Sequence, residues 1–411
     1  MTAIAESVNS VAPVELVEHA PAVRRALPDP VGRALADAEI VEATRDPYSP
    51  GHWSLRAGSK VGAVTVTVPG GAPLTVRVTS KVPIVRLFFL LGYSLDRKSS
   101  WRDGEVEIAE HRDLVPALAH AVERQVDRSL RRGLLQGYKA TEETALVIRG
   151  RLREAEQIRR RFGATLPVEV AYDEFTTDIA ENRILRTAVE RLLRLPGVPH
   201  EVRRRLLHQR IRLADVTAIV RGKPIPNWQP TRLNARYHHA LHLARAVLDG
   251  VSAEHAPGGL RVDGFMFDMN KLFEDFVTVA LRDACCGTGH TARLQDPHHL
   301  DEAAAIRMKP DFVLYGPDGT PCAVVDAKYK AEKRGGYPDD DLYQMLAYCT
   351  ALGLREGHLV YAKGNAAHAA HTVRHAGIVI HQHALDLDQE PSGVLTDIEQ
   401  IALRLVNTPR V

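Results

Sequence analysis

Hydrophobic positions along this chain repeat with two periods, and each change of period marks an element. Val61-Gly62-Ala63-Val64-Thr65-Val66-Thr67-Val68 alternates, Pro69-Gly70-Gly71-Ala72-Pro73 turns the chain, and Leu74-Thr75-Val76-Arg77-Val78 returns, which predicts a hairpin. Ile84-Val85-Arg86-Leu87-Phe88-Phe89-Leu90-Leu91 is the most apolar stretch; it is too short to span a bilayer and reads as a buried helix. Leu118, Val122, Val126, Leu130 and Leu134 recur every fourth residue, predicting a long helix from Leu114 to Gly137. Leu272, Phe273, Phe276, Val277, Ala280 and Leu281 form one helical stripe within residues 270–281. The period then returns to two. Residues 309–315 and 323–329 read as strands joined by the turn Gly316-Pro317-Asp318-Gly319. A helix over 342–349, strands over 358–362 and 377–381, and a closing helix over 395–406 complete the pattern.

These elements predict a multidomain α/β (α+β) protein. Residues 1–148 form a β-rich and helical module after a weakly patterned leader of about 25 residues, 149–256 a helical basic region, and 257–411 a mixed-sheet domain entered through the Pro/Gly cluster at 254–259. Asp178 is the expected cap of the helix from Ile179, with Glu181 in the capping-box position.

Composition narrows the class. The 411 residues are 45% hydrophobic and 25% charged, as in a soluble globular protein, and the net charge of +2 leaves any nucleic-acid affinity to local patches. Arg149, Arg151, Arg153 and Arg159–Arg161 crowd one stretch, and Arg203–Arg205, Arg210 and Arg212 another. Phosphate contact and an exposed helix laced with Glu154, Glu156, Glu190 and Glu201 both account for them. The four cysteines lack zinc-site spacing. His368, His371, His375, His381 and His383 lack paired acidic or cysteine ligands and read as a loop between strands. With no secretory signal and no membrane-length apolar run, the expected location is the cytoplasm.

The chemistry gathers at the second hairpin. Side chains alternate along a strand, so Val324, Asp326 and Lys328 share one face, and Asp311 adds a carboxylate from the neighbouring strand. A charge inside Ala323-Val324-Val325-Asp326-Ala327 is costly unless it is paired or binds a cation. Two carboxylates and an ammonium are what Mg²⁺-assisted phosphodiester hydrolysis requires: hard oxygen ligands for the ion, and a cation to orient water or offset developing charge. Asp311 and Asp326 are the candidate metal ligands, with the Ala327 carbonyl as a further one, and Lys328 is the candidate water-positioning group. Glu274, at the border of its helical stripe, and Gln344, one turn from Tyr348, are second-tier catalytic candidates. The alternative is a surface Asp-Lys pair on an edge strand.

Pro310-Asp311, fourteen residues, then Asp326-Ala327-Lys328 resembles the PD-(D/E)xK nuclease superfamily. Together with Asn270-Lys271-Leu272-Phe273-Glu274-Asp275-Phe276-Val277, Asp341-Leu342-Tyr343-Gln344-Met345-Leu346-Ala347-Tyr348, Ile148-Arg149-Gly150-Arg151-Leu152, Asp173–Asp178 and Glu181–Leu185, it resembles the McrC family, the nuclease subunits of modified-cytosine-dependent (type IV) restriction systems. The resemblance implies a restriction-endonuclease-like C-terminal domain, double-stranded DNA containing modified cytosine as substrate, and a partner, the McrB AAA+ GTPase. It also implies an N-terminal region that docks on that motor and stimulates its GTP hydrolysis. Trp53, Trp101 and the Leu114–Gly137 helix with its Arg124, Arg128, Arg131 and Arg132 are candidate contacts, with core and solvated-face roles as the alternatives. No Gly-x-x-x-x-Gly-Lys-Ser/Thr is present, so nucleotide binding is expected in another subunit. A free-standing repair or recombination nuclease and a non-cutting GTPase-activating subunit are the competing readings.

Overall fold

A computed structural model describes residues 12–69, 71–95, 113–162, 164–220, 222–250, 261–329, 339–362 and 368–407. Trp101, the linker at 254–259 and residues 1–11 of the leader lie outside them, whereas the rest of the leader forms the strands Val14–Val17 and Val23–Ala26. In chain order the described elements begin with β1 (Val14–Val17), β2 (Val23–Ala26), α1 (Asp29–Asp37), β3 (Glu42–Arg45), β4 (His52–Arg56), β5 (Lys60–Thr67), β6 (Leu74–Thr79) and α2 (Ile84–Leu95). Next come α3 (Leu114–Leu130), β7 (Gly137–Ala145), β8 (Arg151–Leu152), α4 (Glu154–Arg161), β9 (Val168–Thr176), α5 (Ala180–Arg194), α6 (His200–Arg212) and α7 (His238–Asp249). The rest are β10 (Arg261–Asp268), α8 (Met269–Ala284), β11 (Thr291–Leu294), β12 (His298–His299), β13 (Arg307–Met308), β14 (Phe312–Tyr315), β15 (Pro321–Lys328), α9 (Asp339–Leu352), β16 (Glu356–Ala362), β17 (His368–Thr372), β18 (Val379–Leu385) and α10 (Pro391–Val406). The protein is thus mixed α/β. Among the described residues, no helix is long and apolar enough to cross a membrane.

The chain divides into two compact units, one of residues 1–117 with 250–411, the other of 118–249. These boundaries differ from the three consecutive segments drawn at 148 and 256, because β10 returns to pair antiparallel with β5 along its whole length, Arg261 opposite Thr67 to Asp268 opposite Lys60. Hydrophobic alternation shows where a strand is, but not which distant strand it joins.

In the discontinuous unit, the predicted hairpin is present as β5 and β6, inside a four-stranded sheet ordered β1-β6-β5-β10. β10 leads directly into α8, whose first turn is fixed by Asp268 accepting a hydrogen bond from the Asn270 N–H at 3.0 Å. Phe276 of α8 packs edge-on against Phe89 and Tyr93 of α2, with centroids 5.4 and 5.5 Å away. Trp53 is buried with the Arg45 guanidinium 5.9 Å from its ring, so it belongs to the core.

The second sheet of this unit is six-stranded and mixed, ordered β11-β14-β15-β16-β18-β17. β14 and β15 are antiparallel, whereas β15, β16 and β18 run parallel, with α9 as the crossover between β15 and β16. Val313, Val324, Leu359 and Tyr361 on one face pack with Met345, Tyr348 and Cys349 of α9. Each such buried side chain contributes about 1.5–3 kcal/mol. The helix comes this close because of Gly357: a Cβ there would lie 2.5 Å from both Met345 Sδ and Cys349 Sγ.

Residues 118–249 are less helical than expected. β7 and β9 pair antiparallel along nine residues and β8 pairs with β9, so the 149–256 region contributes strands as well as helices. The predicted helix from 114 to 137 stops at Leu130: Gly133 takes φ +84°, and the Arg212 guanidinium donates to the Leu130 carbonyl. Asp178 is not a helix cap. Ile179 precedes α5 without a side-chain cap, and the Asp178 carboxylate instead accepts from the Thr217 N–H at 2.7 Å and Lys139 Nζ at 2.8 Å.

Candidate active site

Strand register builds the site. Phe312 pairs with Val325 and Val313 with Val324, so Asp311 lies one step beyond the paired ladder, abreast of Asp326. There the strands part. The Asp311 carbonyl accepts from the Gln295 N–H at 2.9 Å, and its Oδ2 accepts from the Ala327 N–H at 2.9 Å. The carboxylate therefore takes the place of a ladder carbonyl. On the other side of β15, Asp326 pairs with Leu359 and Lys328 with Tyr361 in the parallel register. The Lys328 ammonium forms an ion pair with Asp326 Oδ2, although no well-directed hydrogen bond reaches that buried oxygen. β15 is an interior strand and Asp326 is 2% exposed, which rules out the surface pair on an edge strand.

Electrostatics here are unbalanced. Burial pushes the Asp311 carboxyl up to about 6, assisted by the charge of Glu274 and opposed by the Ala327 N–H and Lys328. Burial and the charge of Asp311 push Asp326 up to about 7, outweighing Lys328. Burial likewise raises Glu274. For Lys328, burial works against the ammonium, but the charge of Asp326 overrides it and the net shift is upward. The Asp326-Lys328 attraction is thus real for the lysine, and insufficient for an aspartate that also faces Asp311. Three carboxyls share one ammonium, the condition under which a buried acidic cluster binds protons or a metal cation.

The donor set fits a hard cation that keeps its waters. Asp311 and Asp326 offer carboxylate oxygens, one of them buried without a directed partner. Among the described residues no three His, Cys, Asp or Glu side chains converge as a ligand cage. One or two carboxylates with open water positions is the Mg²⁺ pattern, not that of structural zinc.

Neighbouring side chains brace this core. Glu274 does not stand alone: Gln295 Nε2 donates to Glu274 Oε1 and, at 2.9 Å, to Asp311 Oδ1, so one amide joins both acids. Gln295 adopts φ +50°, a left-handed conformation uncommon outside glycine. Gln344 Nε2 donates to Tyr348 OH at 2.8 Å, as their spacing on one helical face suggested. Burial, then the charge of Asp326, raises the Tyr348 phenol, opposed by the hydrogen bond from Gln344. Asp341 is buried in the first turn of α9, accepts from Tyr361 OH at 3.3 Å and helps raise Lys328. The sequence carries no signal for Gln295, which follows a short strand, and marks Asp341 only as the start of a segment that resembles the McrC family.

Two other readings change. Arg153 pairs with Glu142 (2.9 Å), Arg159 and Arg160 with Glu156 (2.7 and 3.0 Å), Arg161 with Glu169 (3.4 Å) and Arg205 with Glu123 (3.5 Å). Arg203 donates to the Leu193 and Leu195 carbonyls. These arginines brace their own fold. Four of the five histidines are in strands and not in a loop: His368 and His371 lie in β17, His381 and His383 in β18, and His358 Nδ1 is 3.0 Å from His383 Nε2 in the sheet interior, whereas His375 sits in the turn between β17 and β18 as expected.

A family model described as McrBC 5-methylcytosine restriction system component matches residues 55–362, about three quarters of the chain and all the candidate residues above. Two solved structures are similar. The half-complex of Thermococcus gammatolerans McrB AAA+ hexamers with bound McrC matches 95% of this chain and 99% of the other, at 16% identity and TM-score 0.57, a likeness of fold. The McrBC complex of the same organism matches 67% of this chain and 88% of the other, at 18% identity and TM-score 0.38. No curated protein matches.

Proposed function

Because the chain belongs to the family of McrBC 5-methylcytosine restriction system components, we propose that it is the Mg²⁺-dependent endonuclease subunit of a GTP-driven complex that cuts DNA carrying modified cytosine. The observation that carries this reading is the cluster of buried Asp311 and Asp326 with half-buried Lys328, three carboxyls and one ammonium once half-buried Glu274 is included. The six-stranded sheet is read as a PD-(D/E)xK nuclease core.

Asp311, Asp326 and the Ala327 carbonyl would hold the ion, whose chemistry is to polarise the phosphoryl oxygen and acidify a water. Asp311 is set for this by the Ala327 N–H, which fixes one carboxylate oxygen and leaves Oδ1 toward Gln295. Asp326 and Asp341 keep Lys328 protonated, so its ammonium orients the attacking water and offsets negative charge growing on the phosphoryl oxygens. Gln295 keeps Glu274 beside the acids without making it a ligand. Gln344, bonded to Tyr348 on α9, is read as a second-tier group at the site.

The motor is a separate McrB-like AAA+ GTPase. This chain has no P-loop motif, and one solved structure similar to it is of McrB AAA+ hexamers with bound McrC. Tyr138 of β7 and Phe175 of β9 stand exposed with their rings 5.2 Å apart; an exposed aromatic pair of this kind suits a protein partner. The test is cleavage of methylated DNA by the chain with Mg²⁺, with and without the GTPase and GTP. Cutting only with both supports restriction, cutting by the chain alone indicates a free-standing nuclease, and GTPase stimulation without cutting indicates an activating subunit.

A further inference from the structure

The residue after Lys328 is anchored by a group that the chemistry does not use. Tyr329 is buried, its hydroxyl donates to Glu18 Oε2 at 3.1 Å, and its ring centroid lies 6.0 Å from that of Phe273, the helix residue before Glu274. Glu18 follows β1 and is 0% exposed. The same Oε2 accepts from the Lys81 N–H at 3.2 Å and Ser80 Oγ at 3.5 Å, while Oε1 has no hydrogen bond and lies 3.8 Å from His19 Nε2. A carboxyl buried so deeply opposes folding unless its bonds serve a purpose, and an apolar side chain would fill the space at lower cost. Its bonds join three separate segments: the end of β1, the turn between β6 and α2, and the chain just past β15.

We propose that Glu18 and Tyr329 are a positioning pair that fixes the backbone at the end of β15 and so sets the reach of Lys328 to Asp326. The inference rests on the nuclease reading. Successive side chains near a strand end point to opposite faces, so a tyrosine anchored on one face fixes the Cα from which its neighbour projects on the other. Displacement of a reacting group by about 1 Å lowers rates by on the order of a hundredfold. Through Phe273 the same ring also restrains the turn of α8 that carries Glu274.

The experiment uses the full chain with its GTPase partner, GTP, Mg²⁺ and methylated DNA. Tyr329→Phe and Glu18→Leu are expected to lower kcat roughly 10- to 100-fold with KM for DNA and GTPase stimulation unchanged. Glu18→Gln keeps an acceptor for the phenol and is expected to stay within about twofold of the parent. Acetylation of Lys328 by acetic anhydride, read by mass spectrometry, rises severalfold in the first two variants and not in the third. Folded Tyr329→Phe with parental kcat and parental Lys328 labelling overturns the proposal, as does Glu18→Gln behaving like Glu18→Leu. Should Glu18→Leu fail to fold, Tyr329→Phe, which removes one oxygen, decides alone. Asp326→Asn run alongside separates the two levels: if it cuts like the parent the nuclease reading fails, while Lys328 labelling still decides the positioning role.

Discussion

Asp326→Asn removes one charge from the cluster and almost no volume, and the structure fixes what should follow. The Asp326 carboxyl ionises at about 7 in the fold against 3.8 in an unfolded chain. Below 3.8 both states hold the proton and it contributes nothing. Between 3.8 and 7 the unfolded chain has lost the proton and the folded chain has not, so stability declines as pH rises, by about 1.4 kcal/mol per pH unit. From pH 5 to 7 that is about 2–3 kcal/mol that the metal-free parent loses and the asparagine variant does not, or roughly 3 °C in Tm for a chain of this length. The attraction of Lys328 for the ionised carboxylate is already contained in the folded-state value, so it is not counted a second time. Mg²⁺ should reverse the parent's penalty by binding the ionised acids, raising its Tm at pH 7 and leaving the variant's unchanged. Without this ligand, cleavage is expected to fall by about a thousandfold or more, near 4 kcal/mol in the barrier. Thermal unfolding at pH 5 and 7, in EDTA and in Mg²⁺, with single-turnover cleavage, reads all of this. Parallel pH curves for parent and variant, or equal stabilisation of both by Mg²⁺, would refute the reasoning.

Lys328→Ala should lower single-turnover cleavage about 100- to 1000-fold while Mg²⁺ still raises Tm; circular dichroism showing an unfolded chain would instead assign Lys328 a structural role. Gln295→Ala removes the amide shared by Glu274 and Asp311, and an Mg²⁺ titration of cleavage should show a roughly tenfold higher requirement; an unchanged requirement would leave Gln295 without a role at the site. Tyr138→Asp combined with Phe175→Asp should weaken association with the GTPase by at least about tenfold with the Tm of the isolated chain unchanged, because both rings are already exposed. Calorimetric affinity equal to that of the parent would remove β7 and β9 from the partner surface.

Much of the site was legible because it is local. The Gly316–Gly319 turn sets the hairpin, and alternation alone puts Asp326 and Lys328 on one side of a strand whose neighbours are all apolar. The stripe through Leu272, Phe276 and Leu281 gave α8 to within a few residues at either end. What escaped depends on distant contacts. Gln295 reaches Glu274 and Asp311 only once β11 lies beside β14, and Glu18 meets Tyr329 across more than 300 residues. The 114–137 helix was overextended because Leu134 keeps the fourfold spacing past Gly133, whose left-handed backbone ends the helix. β7 and β9 were missed because their solvent faces alternate charged and small residues, as in Lys139-Ala140-Thr141-Glu142-Glu143, which carry little strand propensity without each other.

Asp311, Asp326 and Lys328 are proposed as a metal-dependent phosphodiesterase site worked by a separate motor. Its most direct measurement is double-strand breakage of a plasmid carrying methylated cytosines by this chain with the GTPase, GTP and Mg²⁺, comparing the parent with Asp311→Asn and recording GTP hydrolysis in the same tubes. The account predicts breaks from the parent, none from Asp311→Asn, and equal stimulation of GTP hydrolysis by both. Breaks from Asp311→Asn at the parental rate would contradict it.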